Sequence, residues 1–308
     1  MIRYTLILFF IAFVGCQTNA QQANVNKESL LNDLKILAAD AMEGRKVGTP
    51  GSEKAQAYLK KRFRQIGLKS YYKDFEQSFI VRGKGVEATN LVAFIAGKSN
   101  KVIVICAHYD HLGKRNGKIY NGADDNASGT AALLQFATYF SKHPPQHTII
   151  FAALDAEESG LKGAKHFVKN LPVPVERIIL NVNMDMISRN EQKELYACVT
   201  YHYPFLKPYI KKIAQQSSIN LLMGHDQPSL GYSIWTNSSD HSAFHAKGIP
   251  FIYFGVEDHE AYHTAEDEFE GIMPTFYVQA TRTILDFIIL ADKQLDAIAA
   301  QKQKASKK

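Results

Sequence analysis

From residue 101 onward, short apolar runs rich in Val and Ile alternate with longer stretches of helical apolar spacing. The runs at 101–107, 148–154, 177–184 and 250–256 predict strands, and 128–140, 162–169, 204–217, 239–247 and 274–291 predict helices. Strand–helix alternation of this kind gives a mostly parallel sheet covered on both faces. Ahead of it, Leu30, Leu31, Leu34 and Leu37 mark a helix at 27–38. A turn-rich segment at 44–51 leads into a second helix at 52–66, which Gly67 closes. Segments 71–81 and 89–96, separated by Gly83 and Gly85, read as a β-hairpin on the sheet edge. No internal repeat is present. The pattern is that of a single α/β domain, with a mostly parallel, mixed central sheet flanked by helices.

The two ends read differently from this body. Arg3 followed by the apolar stretch 6–14 has the form of an export signal, and Phe13-Val14-Gly15-Cys16 resembles a lipoprotein box in which Cys16 is lipidated. The small-residue site Thr18-Asn19-Ala20 offers cleavage without lipidation as the alternative. The expected layout is a signal or lipoprotein segment at 1–20, a tether at 21–26, the folded domain at 27–295 and a basic polar tail at 296–308. The protein is therefore expected outside the cytoplasm, in the periplasm or at the cell surface, and held to a membrane only if Cys16 carries lipid. No later segment reads as transmembrane.

Composition narrows the function classes slightly. The 308 residues, 46% hydrophobic and 21% charged, suit a globular domain able to bury a sizeable core. The formal charge of +6 owes much to Lys302, Lys304, Lys307 and Lys308, read as a solvated end. With no basic stripe interleaved with aromatics, nucleic acid is not an expected partner. Cys106 and Cys198 lie in apolar, strand-like runs and read as buried packing thiols, which argues against cysteine catalysis and a thiolate metal site.

The chemistry sits just past the strands. His108-Tyr109-Asp110 follows the run 101–107, Glu157-Glu158 follows 148–154, Asp185 follows 177–184, and His263 lies beyond 250–256. In open α/β sheets, ligands gather outside the carboxyl ends of the strands, so these groups can converge. The loop Gly122-Ala123-Asp124-Asp125-Asn126-Ala127-Ser128-Gly129 adds two consecutive carboxylates before a helix. Helix capping accounts for one of them; a nearby cation would offset the repulsion of the pair. Imidazole and carboxylate donors without thiolate suit a catalytic zinc site. Asp110 could accept the second ring N–H of His108, and one of the two adjacent glutamates can bind metal while the other reaches a water.

Together with Met42-Glu43-Gly44-Arg45, Gly48-Thr49-Pro50-Gly51, Asn183-Met184-Asp185-Met186, Ser239-Asp240-His241 and Tyr262-His263-Thr264, these segments occur in a familiar order. The chain resembles the co-catalytic dizinc aminopeptidases of the twenty-eighth metallopeptidase family, over roughly residues 30–290. The resemblance implies a zinc-peptidase fold and two Zn²⁺ ions per chain. It makes Asp125 the bridging ligand, His108 and Asp185 the partners of one ion, and Glu158 and His263 those of the other. It also implies Glu157 as general base, Asp110 as orienting group for His108, and peptides with a free N-terminus as substrates. Met186 and Tyr262 are candidates for the side-chain pocket. Ser188 stands where the family often has Gly, and the segments 112–120 and 222–236 are candidate loops for selecting substrate length. Glutaminyl cyclases share this fold with a single zinc, and non-catalytic receptors use it too; both remain alternatives.

Overall fold

A computed structural model describes residues 24–305 apart from Arg82 and Lys84. The export segment with Cys16, and residues 21–23 of the expected tether, lie outside the described residues. Asn26 accepts the Ser29 amide at 2.9 Å and so starts α1 (Lys27–Leu37). Helix α2 (Pro50–Ile66) carries Pro in its first turn and stops at Gly67, whose φ of 81° only glycine adopts cheaply. The edge hairpin follows as β1 (Glu76–Val81) and β2 (Val86–Ile95), and then the central β3 (Ser99–His108). After the short strands β4 (Gly113–Arg115) and β5 (Lys118–Tyr120), the chain alternates. Its elements are α3 (Gly129–Lys142), β6 (His147–Leu154), α4 (Lys162–Lys169), β7 (Ile178–Met184) and β8 (Glu194–Cys198). They continue with α5 (Lys207–Ala214), β9 (Asn220–Met223), α6 (His241–Ala246), β10 (Phe251–Gly255), α7 (Pro274–Lys293) and α8 (Leu295–Ala305).

The main sheet has eight strands in the order β1-β2-β6-β3-β7-β10-β8-β9. Its centre, β6-β3-β7-β10, is parallel, while β1, β2 and the β10–β8 pairing are antiparallel. The chain leaves β3 for β6 on one side and then returns to β7 on the other, so β3 lies at the point where strand order reverses. That is where open α/β sheets place their ligands.

Strict alternation along the central strands sorts side chains into two cores. Ile103, Ile105 and Ala107 of β3, with Ile149, Phe151 and Ala153 of β6, pack with α1, α2, α3 and α7. Val102, Val104 and Cys106, with Ile150, Ala152 and Leu154, pack against Phe167 of α4 and Phe244 of α6 on the opposite face. Strands buried on both faces have no polar face to show, which explains their continuous apolar runs. Cys106 and Cys198 are buried and free, as their surroundings in the sequence indicated.

The structure departs from the sequence expectations in three places. Residues 296–305 of the expected basic polar tail belong to α8, with Leu295, Ile298 and Ala299 buried and Lys302 donating to the Ile178 carbonyl at 3.0 Å; residues 306–308 lie outside the described residues. Spacing of three and four places those apolar residues on one face, where the neighbouring Gln and Lys obscure them. The expected loop at 112–120 contains the β4–β5 hairpin. Strand β9, unforeseen, pairs in parallel with β8. Among the described residues, no helix is long and apolar enough to cross a membrane.

Candidate active site

Four carboxyl-end segments of the parallel strands, together with the loop before α3, meet above β3. His108 is the last residue of β3 and is buried. Its Nε2 lies 3.3 Å from Asp185 Oδ1, just past β7, and 3.4 Å from Asp125 Oδ1. The other oxygen of Asp125, Oδ2, lies 3.1 Å from His263 Nε2. His263 Nε2 is in turn 3.5 Å from Glu158 Oε2. Asp125 therefore puts one oxygen into each of two donor groups. All five ligand candidates from the sequence meet in this cluster, and Met186, Tyr262 and Glu157 line the same cavity of about 360 Å³.

The Asp124-Asp125-Asn126 loop is held from three sides. Asp267 accepts the amides of Asp124 at 2.9 Å and Asp125 at 3.0 Å on its carboxylate, and that of Ala123 at 3.0 Å on its carbonyl. Asn126 donates to the Met184 carbonyl at 2.9 Å and accepts from Gly129 N at 2.9 Å, which ties the loop to β7. A Cβ on Gly129 would stand 2.5 Å from Asn126 Oδ1 and 2.7 Å from the Met184 carbonyl, so this position needs glycine. Ser188, where the family often has Gly, donates its hydroxyl to Asp124 Oδ1 at 2.8 Å and its amide to the same oxygen at 2.7 Å. Asp124 is thus an anchor of the loop, and His259 approaches its other oxygen at 3.1 Å.

Asp110 acts on two strands' ends at once. Its carboxylate accepts the amides of Glu157 at 2.9 Å and Glu158 at 3.4 Å, fixing the backbone that carries both glutamates. His108 Nδ1 is 3.2 Å from the Asp110 carbonyl and 3.7 Å from its carboxylate, so the backbone oxygen is the ring's nearer partner. The Asp110 side chain thus stands beside the His108 ring, whose pKa it helps to raise, and also holds the Glu157-Glu158 turn. Ala156, Met186 and His263 have positive φ values of 56°, 57° and 56°. Side-chain residues adopt this region rarely, and such outliers cluster at functional sites.

Beneath the cluster lies Arg45, fully buried. Its guanidinium donates to the carbonyls of Tyr109 at 2.7 Å, Leu37 at 2.6 Å, Asn121 at 2.5 Å and Gly122 at 2.9 Å. Burial pulls its pKa down to about 10, against the pull of Asp125, Asp267, Asp110 and Glu158, so it stays charged at neutral pH. The Met42-Glu43-Gly44-Arg45 motif thus serves to join α1, the end of β3 and the metal-type loop. Arg45→Met leaves those carbonyls buried and unpaired and is expected to cost at least about 3 kcal/mol of stability. Urea unfolding measures it, and a loss under about 1 kcal/mol would contradict this role.

The electrostatics divide the two glutamates. Burial raises the pKa of Glu157 well above the usual range, His108 opposing and Asp185 and Asp240 adding to the shift. Glu158 goes the other way, to about 2, because His111 and His263 outweigh its burial. The same histidines and His108 hold Asp125 well below the ordinary carboxylate range despite burial. One glutamate is thereby set up to carry a proton and the other to remain an anionic donor.

Sequence comparison agrees with the geometry. Residues 90–288 match the profile of peptidase family M28. The chain belongs to this family. Aminopeptidase YwaD of Bacillus subtilis (strain 168) is 30% identical over 260 residues, covering 80% of this chain and 51% of YwaD. The chain spans about half the length, or less, of the curated relatives it matches. Among solved structures, BSAP, a zinc aminopeptidase from Bacillus subtilis, superposes with a TM-score of 0.70 at 18% identity, over 87% of this chain and 95% of that one. Fimbriiglobus ruber glutaminyl cyclase gives 0.69 at 19%, over 88% and 97%. At these identities the likeness establishes the family's mixed α/β fold.

The sequence did not single out Asp267, His111 or Tyr253, and offered Trp235 only as part of the candidate substrate loop 222–236. The last two line the cavity beside Tyr262. Asp267 follows His263 by four residues, an acid in a loop that only its contacts distinguish. His111 follows Asp110 directly, and the structure puts its Nδ1 2.8 Å from Glu158 Oε1.

Proposed function

We propose that this protein is a zinc-dependent aminopeptidase that removes N-terminal residues from peptides at a two-zinc site. The bridging position of Asp125, one oxygen in each donor group, is the observation that carries this reading. The donor set fits zinc: imidazole and carboxylate, no thiolate, and with buried donor atoms such as Glu158 Oε1 that make no hydrogen bond. His108, Asp185 and Asp125 would hold one ion, and Asp125, Glu158 and His263 the other. When bound, two zinc ions polarise the scissile carbonyl and acidify the attacking water.

The chain's own residues do the rest. Glu157, in the cavity wall and outside both donor groups, takes the proton of the attacking water and returns it to the leaving amine. Its raised pKa suits a group that must hold that proton between the two transfers. Asp110 keeps the Glu157-Glu158 backbone in place through its two amide contacts. Met186, Trp235, Tyr253, Val256 and Tyr262 give the cavity an apolar wall suited to the side chain of an uncharged N-terminal residue. Asp258, in the same lining, supplies negative charge toward the substrate's α-ammonium. The export segment supports action outside the cytoplasm, with Cys16 as the lipid attachment site.

The test compares aminoacyl-p-nitroanilides, free and N-acetylated, beside cyclisation of a glutaminyl peptide, with bound zinc counted. Hydrolysis of free substrates only, two zinc ions per chain, and loss on chelation with recovery on adding Zn²⁺ are expected. Cyclisation with one zinc would move the protein to the glutaminyl cyclase reading that shares its fold. Radiolabelled palmitate incorporation, lost in Cys16→Ala, tests the anchor; its absence in the wild-type protein would leave cleavage near Ala20.

A further inference from the structure

We propose that His111 is a protein ligand of the second zinc, beside Asp125, Glu158 and His263, an inference that rests on the two-zinc reading. Its ring is buried, and Nδ1 lies 2.8 Å from Glu158 Oε1 and 3.7 Å from Asp125 Oδ2. Despite that short distance, neither ring nitrogen of His111 nor Glu158 Oε1 makes a hydrogen bond. Two donor atoms that approach this closely without aiming at each other are aimed at a third point. Zinc bonds of about 2.0–2.1 Å in tetrahedral arrangement put neighbouring donor atoms about 3.3–3.4 Å apart, and the two observed separations fall on either side of that value. One donor atom from each of His111, Asp125 and Glu158 lies within 4.8 Å of the others, matching the His108, Asp125 and Asp185 group on the other side of Asp125.

The ring is also fixed where it stands. Gly122, with φ +56°, passes so close that a Cβ there would lie 2.5 Å from the His111 ring carbons. A buried imidazole whose nitrogens make no well-aligned hydrogen bond costs about 1–3 kcal/mol, a cost that coordination would offset. The structure thus gives the second ion an interior nitrogen donor, where His263, with 41% of its side chain exposed, approaches from a loop. Four protein groups would surround this ion and three the first, so the two sites differ in affinity, the second being tighter than its exposed histidine alone would make it.

The experiment titrates the full chain, wild type and His111→Ala, with Zn²⁺ against a chromophoric chelator, and records visible spectra of the Co²⁺-substituted forms. Loss of a residue merely hydrogen-bonded to a ligand costs about 10–100-fold in metal affinity, so loss of a ligand is expected to cost more than ~100-fold at one site. The other site, built on His108 and Asp185, keeps wild-type affinity and so reports that the variant is folded. The absorption of one Co²⁺ equivalent changes while the other is retained. If His111→Ala fails to fold, His111→Leu takes its place, filling most of the ring's volume with no donor atom. Two ions bound by the variant with affinity within ~100-fold of wild type, and unchanged Co²⁺ spectra, would overturn the inference. A wild-type chain that binds only one zinc would instead overturn the two-zinc reading beneath it.

Discussion

Exchanging Glu157 for glutamine is expected to lower kcat on a free aminoacyl substrate by roughly 100- to 10,000-fold, the usual worth of a positioned general base. KM and the count of two zinc ions should stay near wild type. The geometry separates these effects. Glu157 belongs to neither donor group, whereas its neighbour Glu158 stands 3.5 Å from His263 Nε2. The backbone amides of both residues are pinned by Asp110, so the amide side chain of the variant occupies the same place but has no basic oxygen to accept the proton of the attacking water. Glutamine is the informative replacement because it keeps volume and polarity, and removes only the proton-carrying function. A variant that loses a zinc ion would show Glu157 to be a ligand. A variant with kcat within about threefold of wild type would remove it from the proton transfers.

The strand-end residues were legible because the fold itself advertises them. Central strands buried on both faces read as continuous apolar runs, so a histidine or acid at the end of one stands out against it. His108 and Asp185 follow such runs immediately, and the Gly122 to Gly129 loop opens a helix whose apolar spacing is plain. What could not be read is carried by contacts between distant segments. Arg45 meets Asn121 and Gly122 across more than seventy residues, and Asp267 meets Asp124 and Asp125 across more than a hundred and forty. No spacing rule marks either set of contacts, even though Arg45 itself sits in the Met42-Glu43-Gly44-Arg45 motif. His111 was hidden differently: it sits beside a residue already assigned, and only its burial and its unpartnered nitrogens distinguish it from a surface histidine. Helix α8 was masked by composition, since Leu295, Ile298 and Ala299 are a narrow stripe among Gln and Lys.

If two ions bind as proposed, Asp125→Asn is expected to weaken both sites together, and this variant separates a bridging carboxylate from one that serves a single ion. In the wild type, Oδ1 lies 3.4 Å from His108 Nε2 and Oδ2 3.1 Å from His263 Nε2. An amide retains one oxygen and offers an NH₂ group in place of the other, so one site loses a ligand atom and both lose the negative charge between them. Activity should fall at least ~1,000-fold, in line with losing the ions that polarise the carbonyl and acidify the water. A ligand that binds only the folded state stabilises by about 2.7 kcal/mol when present at a hundred times its Kd. Zinc should therefore raise the melting temperature of the wild type and leave that of Asp125→Asn nearly unmoved. Protons offer an independent readout. His263 is pushed up to about 10, chiefly by Asp125 and Glu158, and Asp185 and its carboxylate neighbours raise His108 against the pull of burial. Zinc entering the cluster must displace those protons, since imidazole binds metal only when neutral. Calorimetric titration in buffers of different ionisation enthalpy should show proton release on zinc binding to the wild type, and much less in Asp125→Asn, where the charge that holds the protons is gone. Retention of one zinc at full affinity by the variant would assign Asp125 to one ion only and end the case for a bridge.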